Sequence, residues 1–281
     1  MVETTAANPE LLADQVSQLL VQPLEAASVV LSSGPRIFDT SSTLRIPKLV
    51  SGATVGFVGE GGDIPDDADV DFDELVLMPT DRKSIKTILR FTNELVRQSV
   101  IGIDAVLKQR LVKDVSDALD TALLTGDGTS DSITGITEQA EVQTGVLDIT
   151  DADSLLDALG LAVAAEVMPN RWFVNGADFI ALRKLKEATD SSKYLLESDL
   201  TKDATYRLFG IPVTVTNKLP AGTAILADMS QVAVARDVAP SVTVLSELYA
   251  ATDEVGLRVV TRYDCGLLHP EGVIVLTAEE S

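Results

Sequence analysis

The sequence is poor in the side chains on which catalysis, metal binding and stacking on bases or sugars depend. Its 281 residues include one cysteine, Cys265, and one histidine, His269, and only 4% are aromatic. A single cysteine excludes an intrachain disulfide and a cysteine metal site. On one strand, Cys265 and His269 would lie about 13 Å apart, too far for the histidine to activate the thiol. We therefore predict no catalytic residue and no metal ligand, and we do not expect an enzyme.

Positive charge and long apolar runs are also scarce. Acidic residues number 43 against 22 basic residues, a formal net charge of -21. This balance argues against a protein that grips nucleic acid by neutralising phosphates. No apolar stretch approaches the roughly 18 residues of a membrane span, and the residues after Met1 lack the basic start and apolar run of a secretory signal. The composition predicts a protein made in the cytoplasm, without membrane contact.

Three segments superficially resemble ligand-binding loops. Gly59–Gly62 is rich in glycine, but no lysine or hydroxyl residue follows at the spacing of a phosphate loop. The alternating carboxylates of Asp67–Asp73 suggest a calcium loop, but Phe72 stands where the turn glycine is required and Met78 where the bidentate glutamate is required. Gly126–Gly128 follows a predicted helix and is better explained as a helix stop. No cofactor is expected.

Charge is instead concentrated in two neighbouring blocks of opposite sign. Between Phe57 and Met78 there are eight carboxylates and no base, and between Arg82 and Lys113 there are eight bases and two carboxylates, 8 - 2 = +6. The carboxylates are Glu60, Asp63, Asp66, Asp67, Asp69, Asp71, Asp73 and Glu74. A run with a formal charge of -8 cannot fold inward alone, so we predict that it projects from the body of the protein.

Periodicity predicts an α+β protein, and 46% apolar residues can fill one large core or two smaller ones. Two strands, 44–57 and 74–91, bracket the acidic block as a long hairpin, and within 81–91 alternate residues face opposite sides. A long helix over 96–125 would approach 40 Å at about 1.5 Å per residue. Further helices are predicted at 9–32, at 154–167 with Asp153 or Ser154 as its cap, and at 177–188. Further strands are predicted at 171–175, 211–216, 223–228, 231–236, 241–247, 254–268 and 273–277.

The order and spacing of several short motifs resemble the major capsid proteins of tailed phages, which have the Hong Kong 97-like fold. The resemblance runs from about Leu44 to the C-terminus, and no one motif is specific alone. The matching motifs are Phe57–Gly61 with Phe72, Leu77–Pro79, Thr92–Leu95, Leu124–Thr129, Gly135–Ile136, Leu208–Val213, Ala227–Ser230, and Arg258 with Arg262.

The resemblance implies a division of the chain into the parts of that fold. We expect an extended N-terminal arm over 1–43 and a hairpin called the E-loop, with its base strands, over 44–91. A spine helix and peripheral-domain segment would occupy 92–150, an axial domain 151–250, and closing peripheral-domain strands 251–281. Some members form a Lys-Asn isopeptide crosslink that needs an E-loop lysine. Because no lysine lies between Lys48 and Lys83, that crosslink should be absent.

The resemblance also implies a structural function in the virion capsid. The chain would assemble in the host cytoplasm into hexamers and pentamers of an icosahedral shell that encloses double-stranded DNA without sequence-specific binding. Capsid proteins of this family often begin with a cleavable scaffolding segment, whereas here only some 40 residues precede the core strands. Either a separate scaffolding protein acts or the chain is already processed, and the start at Met1 favours the former. A portal and a decoration protein are the other expected partners. The alternatives are an encapsulin-like nanocompartment shell protein that encloses an enzyme cargo, and a soluble metabolic enzyme of α+β type.

The opposite charge blocks suggest where subunits meet. Because the two blocks have opposite charges, we expect the acidic hairpin to lie over a neighbouring subunit and to contact basic residues there. Exposed ion pairs would set the register of this contact, and apolar side chains would contribute more of its energy. The predicted interface residues are Phe57, Glu60, Asp63, Asp66, Asp67, Asp69, Asp71, Phe72, Arg82, Lys83, Lys86 and Arg90.

Overall fold

The computed structural model describes residues 27–49, 57–59, 61, 72–78, 84–92, 94, 103–129, 132–186, 206–237, 241–245 and 247–278. The helices whose bounds lie in these ranges are α1 (Ile103–Thr125), α2 (Asp153–Ala164) and α3 (Gly176–Arg183). The strands are β1 (Arg36–Asp39), β2 (Leu44–Leu49), β3 (Phe72–Leu77), β4 (Ile85–Thr92), β5 (Gln143–Val146), β6 (Arg171–Val174), β7 (Arg207–Leu208), β8 (Ile211–Val215), β9 (Thr223–Ala227), β10 (Val232–Arg236), β11 (Ser241–Leu245), β12 (Glu254–Thr261), β13 (Tyr263–Leu267) and β14 (Val273–Thr277). No helix in the described ranges is long and apolar enough to cross a membrane.

The described strands form one large sheet and three small ones. The large sheet has the order β5-β14-β9-β6-β8-β7, two sheets of three strands have the orders β1-β10-β13 and β11-β12-β4, and β2 pairs with β3 alone. Parallel pairs, such as β1 with β10, occur beside antiparallel pairs, such as β4 with β12. The predicted mixture of helices and sheets is confirmed.

Apolar side chains form two main cores. In the larger core, one face of α1 packs against strands near the C-terminus, and Leu111, Val115, Leu119 and Leu123 recur at every fourth position on that face. The second core lies between the large sheet and α2 with α3, around Trp172, which is fully buried. Burying a leucine side chain stabilises a fold by about 1.5–3 kcal/mol, so the four leucine and valine positions of α1 fix this helix firmly to the body.

Helix α1 ends where the backbone at Gly126 lies against the backbone at Gly135. The Gly126 amide donates to the Ala122 carbonyl at 3.0 Å, and the Gly135 amide donates to the Gly126 carbonyl at 2.7 Å. The Thr137 hydroxyl also donates to the Leu124 carbonyl at 3.0 Å and satisfies a carbonyl that the helix end leaves without a partner. The helix stop predicted at Gly126 is therefore confirmed, and the crossing backbones explain why glycine is needed there.

The predicted hairpin is confirmed at its base, but its return strand is wrong. Strands β2 and β3 pair antiparallel, from Leu44 opposite Leu77 to Leu49 opposite Phe72. The single strand predicted over 74–91 is instead two strands in different sheets, β3 and β4. Met78, which follows β3, has a φ of 54°, and this left-handed conformation ends the strand. The strand predicted over 254–268 is likewise divided, into β12 and β13.

Helix α2 differs from its prediction in its cap and in its buried face. The residue before its first turn is Ala152, which makes no side-chain cap, so neither Asp153 nor Ser154 caps the helix. Leu155, Ala158 and Ala162 are buried on it. Leu156 and Val163, which were expected in the buried stripe, are 46% and 75% exposed. The buried face of α2 is therefore centred on Leu155 and the two alanines rather than on the predicted apolar stripe.

Other helices and strands also have bounds that differ from the predictions. Helix α3 ends at Arg183, five residues before the predicted end at 188. The start predicted for the long helix, near 96, falls outside the described residues, as does most of the helix predicted over 9–32. Strands β1, β5 and β7 were missed because they are short and mostly exposed or half-buried, so they lack an apolar run.

Candidate subunit interface

The base of the hairpin carries its charges in cross-strand pairs. Arg45 Nη1 lies 3.0 Å from Glu74 Oε1, and Lys48 Nζ lies 3.0 Å from Asp73 Oδ2. Hydrogen bonds from Lys48 and from the Glu74 amide hold the pKa of the Asp73 carboxyl below its usual range. Two of the eight carboxylates in the acidic block are therefore paired within their own subunit, by bases that precede the block in sequence.

Large apolar side chains on the hairpin are exposed. Phe72 is 70% exposed at the end of β3, Val76 is 43% exposed, and Phe57 has no cover from the described residues. Exposed aromatic rings beside a charged segment are typical of a contact surface. Both phenylalanines were predicted to contact another subunit, and their exposure leaves them available for such a contact.

The root of the hairpin is fixed to the body of the protein. Leu75 and Leu77 extend across β13 at Gly266, where an added Cβ would lie 2.8 Å from Leu75 Cδ1 and 2.9 Å from Leu77 Cδ2. Beyond them, the Met78 amide donates to Asp264 Oδ2 at 2.7 Å. The hairpin therefore leaves the body from a buried, hydrogen-bonded root in a defined direction.

Replacement of Gly266 by alanine is expected to loosen this root. The new methyl group must displace both leucine side chains, and overpacking of this kind costs about 1–3 kcal/mol. We expect a lower thermal stability and faster hydrogen-deuterium exchange across residues 72–78. Gly160→Ala is the control, because an added Cβ there meets nothing within 4 Å. Unchanged exchange over 72–78 in Gly266→Ala would show that the root does not depend on this contact.

Strand β4 presents a basic surface on the outside of its sheet. Its residues alternate between half-buried and exposed, so that Ile85, Leu89 and Phe91 pack against the larger core while Lys86 and Arg90 face outward. This confirms the alternation predicted over the described part of 81–91. On the adjacent strand β12, exposed Arg258 lies opposite Ile88, between Lys86 and Arg90, and directly opposed residues share one face. We call Lys86, Arg90 and Arg258 the basic sheet face.

Two of these three side chains, Arg90 and Arg258, contact an aromatic or a polar group of the same subunit. The Arg90 guanidinium lies 5.2 Å from the centre of the Tyr249 ring, a cation-π distance. Tyr249 itself packs on Gly256, where an added Cβ would lie 2.7 Å from the ring. Arg258 Nη2 lies 3.5 Å from the Thr243 hydroxyl. Within the described residues, none of the three forms an ion pair, so their charges are available to an anionic partner.

The structure places four of the twelve predicted interface residues. Lys86 and Arg90 lie together on the basic sheet face, Phe72 lies at the end of the hairpin base, and Phe57 is exposed. The other predicted residues lie outside the described part of the chain: Glu60, Asp63, Asp66, Asp67, Asp69, Asp71, Arg82 and Lys83.

Sequence reasoning missed Arg258 as a member of the basic surface. It is separated from Arg90 by 168 positions in sequence (258 - 90), and only the pairing of β12 with β4 brings the two together. No local pattern in the sequence identifies the partner strand of an antiparallel pair. Arg45 and Lys48 were missed for the same reason.

Cys265 and His269 lie in different environments. Cys265 is buried on β13, and its burial raises the pKa of the thiol to about 12. His269 is exposed and precedes a short 3-10 turn that begins at Pro270. No group of three or more histidine, cysteine or carboxylate residues that could hold a metal ion occurs among the described residues.

The thiol of Cys265 is expected to be inert in the folded protein. A pKa near 12 rather than 9.0 makes the thiolate about a thousandfold scarcer at pH 8, and the thiolate is the reactive form. An aromatic disulfide reagent should therefore modify the native chain at least about 100-fold more slowly than the chain in guanidinium. Equal rates in the two states would contradict the buried position of Cys265.

A cavity of about 410 Å³ lies beside the hairpin root. The described residues that line it include Leu75 and Met78 on the hairpin, Glu138 and Gln139 after α1, and Asp264 on β13, but no histidine, lysine or arginine. The Cys265 thiol, whose pKa is raised by burial, also lines this cavity.

Comparison with known proteins identifies relatives along nearly the whole chain. A model of the phage capsid family matches residues 10–278. The major capsid protein of Klebsiella oxytoca phage phiKO2 is 24% identical to the chain over 298 aligned positions, which cover 95% of the chain and 65% of that protein. The chain therefore spans less than two thirds of the length of this curated relative.

Several solved structures share the fold. The capsid of an empty GTA particle matches with a TM-score of 0.74 and 17% identity, and that of a native GTA particle with a TM-score of 0.72 and 17% identity. Each match covers 90% of both chains. A chain from Microbacterium phage Oxtober96 matches with a TM-score of 0.71 and 18% identity, over 90% of this chain and 91% of that one.

Proposed function

Because this chain belongs to the phage capsid family, we propose that it is a structural subunit of an icosahedral viral shell. The observation that carries this proposal is the family match over residues 10–278, with a fold match to GTA capsids over 90% of both chains. The subunit would form the hexamers and pentamers of a closed shell around double-stranded DNA. The role is mechanical, so it requires no catalytic residue.

The parts of the Hong Kong 97-like fold can be assigned within this proposal. The β2–β3 hairpin would be the base of the E-loop, and α1, with 23 residues and an end at Gly126, would be the spine helix. The core around α1 would belong to the peripheral domain, and the core around Trp172 to the axial domain. Residues 1–43 would form the N-terminal arm.

Contacts between copies would combine charge with apolar burial. In this account, the acidic segment of one subunit lies on the basic sheet face of its neighbour. Arg82 and Lys83, which precede β4 in sequence, are further predicted partners. Each exposed ion pair contributes only about 0–1 kcal/mol, so the charges set the register. Phe57 and Phe72 would contribute more energy by burial. Individually weak contacts, repeated around a shell, give a strong assembly that can correct errors while it forms.

The acidity of the chain suits a container for DNA. A formal charge of -21 repels phosphate, so an inner wall of this composition would let the genome slide during packaging. A separate scaffolding protein, a portal and a decoration protein would complete the particle, which would assemble in the host cytoplasm. If the inner wall carried mainly basic side chains, this explanation of the acidity would be wrong.

Electron microscopy of the purified chain in negative stain tests the proposed function. Closed particles of uniform size are expected, alone or after coexpression with a scaffolding protein, and nuclease-protected DNA is expected in particles from infected cells. An enzyme cargo without DNA would indicate an encapsulin-like nanocompartment instead. A chain that stays monomeric in light scattering under all these conditions would contradict a shell function.

A further inference from the structure

Helix α1 contains a buried carboxylate that has no role in the contacts described so far. Asp120 is only 1% exposed and lies on the same helix as Leu119 and Leu123, which are fully buried in the larger core. Within the described residues, no lysine or arginine forms an ion pair with it. A charged group buried without a counterion is costly unless hydrogen bonds satisfy its oxygens.

Among the described residues, the hydrogen bonds to Asp120 come from one short segment that lies about 90 residues earlier in the chain. The Ser28 hydroxyl donates to Oδ1 at 2.5 Å, the Val29 amide to Oδ2 at 2.8 Å and the Val30 amide to Oδ1 at 3.1 Å. Ser28 is itself fully buried, and its oxygen also accepts from the Leu31 amide at 3.1 Å. Both carboxylate oxygens are thus satisfied by this segment.

The same segment is fastened to the body at a second place. After a left-handed turn at Gly34, strand β1 pairs with β10, and Arg236 forms an ion pair with Asp39 at 2.6 Å. The β1 contact uses backbone hydrogen bonds and fixes residues 36–39. At residues 28–30, the described point nearest to residues 1–26, the chain is held by the Asp120 contact together with the burial of Val30 in the larger core. Burial raises the pKa of Asp120, whereas the three hydrogen bonds lower it.

We propose that Asp120 is the anchor that fixes residues 28–30 to helix α1 in the same position in every copy of the subunit, and that assembly depends on this fixed position. This inference rests on the proposed shell function for its consequence in assembly. Residues 1–26 contain no lysine or arginine and include apolar Leu11, Leu12, Val16, Leu19, Leu20 and Leu24. Apolar side chains of this kind gain free energy when they are buried, so the position of the point to which this segment is attached matters for assembly.

The experiment compares the full chain carrying Asp120→Ala, Asp120→Asn or Ser28→Ala with the unchanged chain. Hydrogen-deuterium exchange is measured on peptides that span residues 27–33, and particle yield is measured by sedimentation. Asp120→Ala removes both acceptor oxygens and should speed exchange of the Val29 and Val30 amides at least about tenfold and lower the particle yield at least about fivefold. Asp120→Asn keeps one acceptor oxygen and should give an intermediate change. Ser28→Ala, which keeps the carboxylate, should give a smaller change of the same sign and covers the case in which the Asp120 variants do not fold.

Two controls separate anchoring from general stability. Asp114→Asn removes the same charge from an exposed position of α1, where Asp114 pairs with Arg110 at 3.0 Å, and should change neither measurement. Val115→Ala removes buried apolar volume from the same helix and should lower thermal stability while keeping slow exchange at 27–33 and the normal particle yield.

Three results would overturn the proposal. They are slow exchange at residues 27–33 in Asp120→Ala, normal particle yield despite fast exchange, and an equal loss of particles in a Val115→Ala chain of matched thermal stability. If the unchanged chain forms no particles at all, the proposed shell function fails. The exchange comparison alone then supports or overturns the anchor.

Discussion

Changing Lys86, Arg90 and Arg258 together to glutamate is expected to lower the particle yield at least about 100-fold while the subunit stays folded. The three side chains are exposed on one sheet face and form no ion pair within the described residues. Their reversal places like charges opposite the acidic segment of a neighbour, and such juxtapositions cost several kcal/mol in an interface. Within the subunit, the main loss is the cation-π contact of Arg90 with Tyr249, worth about 0.5–1 kcal/mol at an exposed site.

Sedimentation and circular dichroism measure assembly and folding of this variant separately. The matched control reverses three exposed bases near α3, namely Lys184, Lys186 and Arg207, and so makes the same change in net charge away from the basic sheet face. Changing Asp66, Asp67, Asp69 and Asp71 to asparagine should also reduce assembly, because it removes the partner charges. Normal particle yield in either the basic or the acidic variant would disprove the charge-pairing interface.

Gly135→Ala is expected to prevent stable folding. An added Cβ would lie 2.5 Å from Gly126 N, 2.7 Å from Thr125 N and 2.8 Å from Leu124 C, all of them backbone atoms at the end of α1. Backbone cannot rotate away as a side chain can, so the two crossing segments must separate. This breaks the hydrogen bond from Gly135 to Gly126 and disturbs the buried Ile136, and we expect a loss of at least about 3 kcal/mol.

Urea unfolding of soluble protein, or the soluble fraction on expression, measures this loss. Gly160→Ala is again the control, because its Cβ would enter open space on a helix, where alanine is favoured over glycine by about 0.5–1 kcal/mol. If Gly135→Ala were as stable as the unchanged chain, the close crossing of backbones at the end of α1 would be wrong.

The elements that could be predicted from sequence are those with a strong local signal. The end of α1 at Gly126 and the alternation of β4 were both found, because glycine punctuation and a period of two act within a few residues. The break at Met78 could not be found. Methionine seldom adopts a positive φ, and its conformation here depends on Asp264, which lies 186 residues away.

The candidate interface was predictable only in outline. Opposite charge blocks are visible in the sequence, and they pointed to Lys86 and Arg90, which the structure places on the same sheet face. Arg258 joins them only through the register of β12 with β4. Asp120 gave no signal either, because a single carboxylate on a helix is usually solvated, and its partners Ser28, Val29 and Val30 are distant in sequence.

Zero-length crosslinking of carboxylates to lysines, on particles assembled from equal amounts of ¹⁴N and ¹⁵N chains, tests the central claim most directly. Lys86 is the lysine of the basic sheet face, so it should link to a peptide from residues 60–71. Linked peptides should include pairs in which one member carries ¹⁴N and the other ¹⁵N, because the partners belong to different copies. If this link joined only peptides of the same isotope, or formed equally in dissociated subunits, the acidic segment would bind its own subunit and the proposed interface would be wrong.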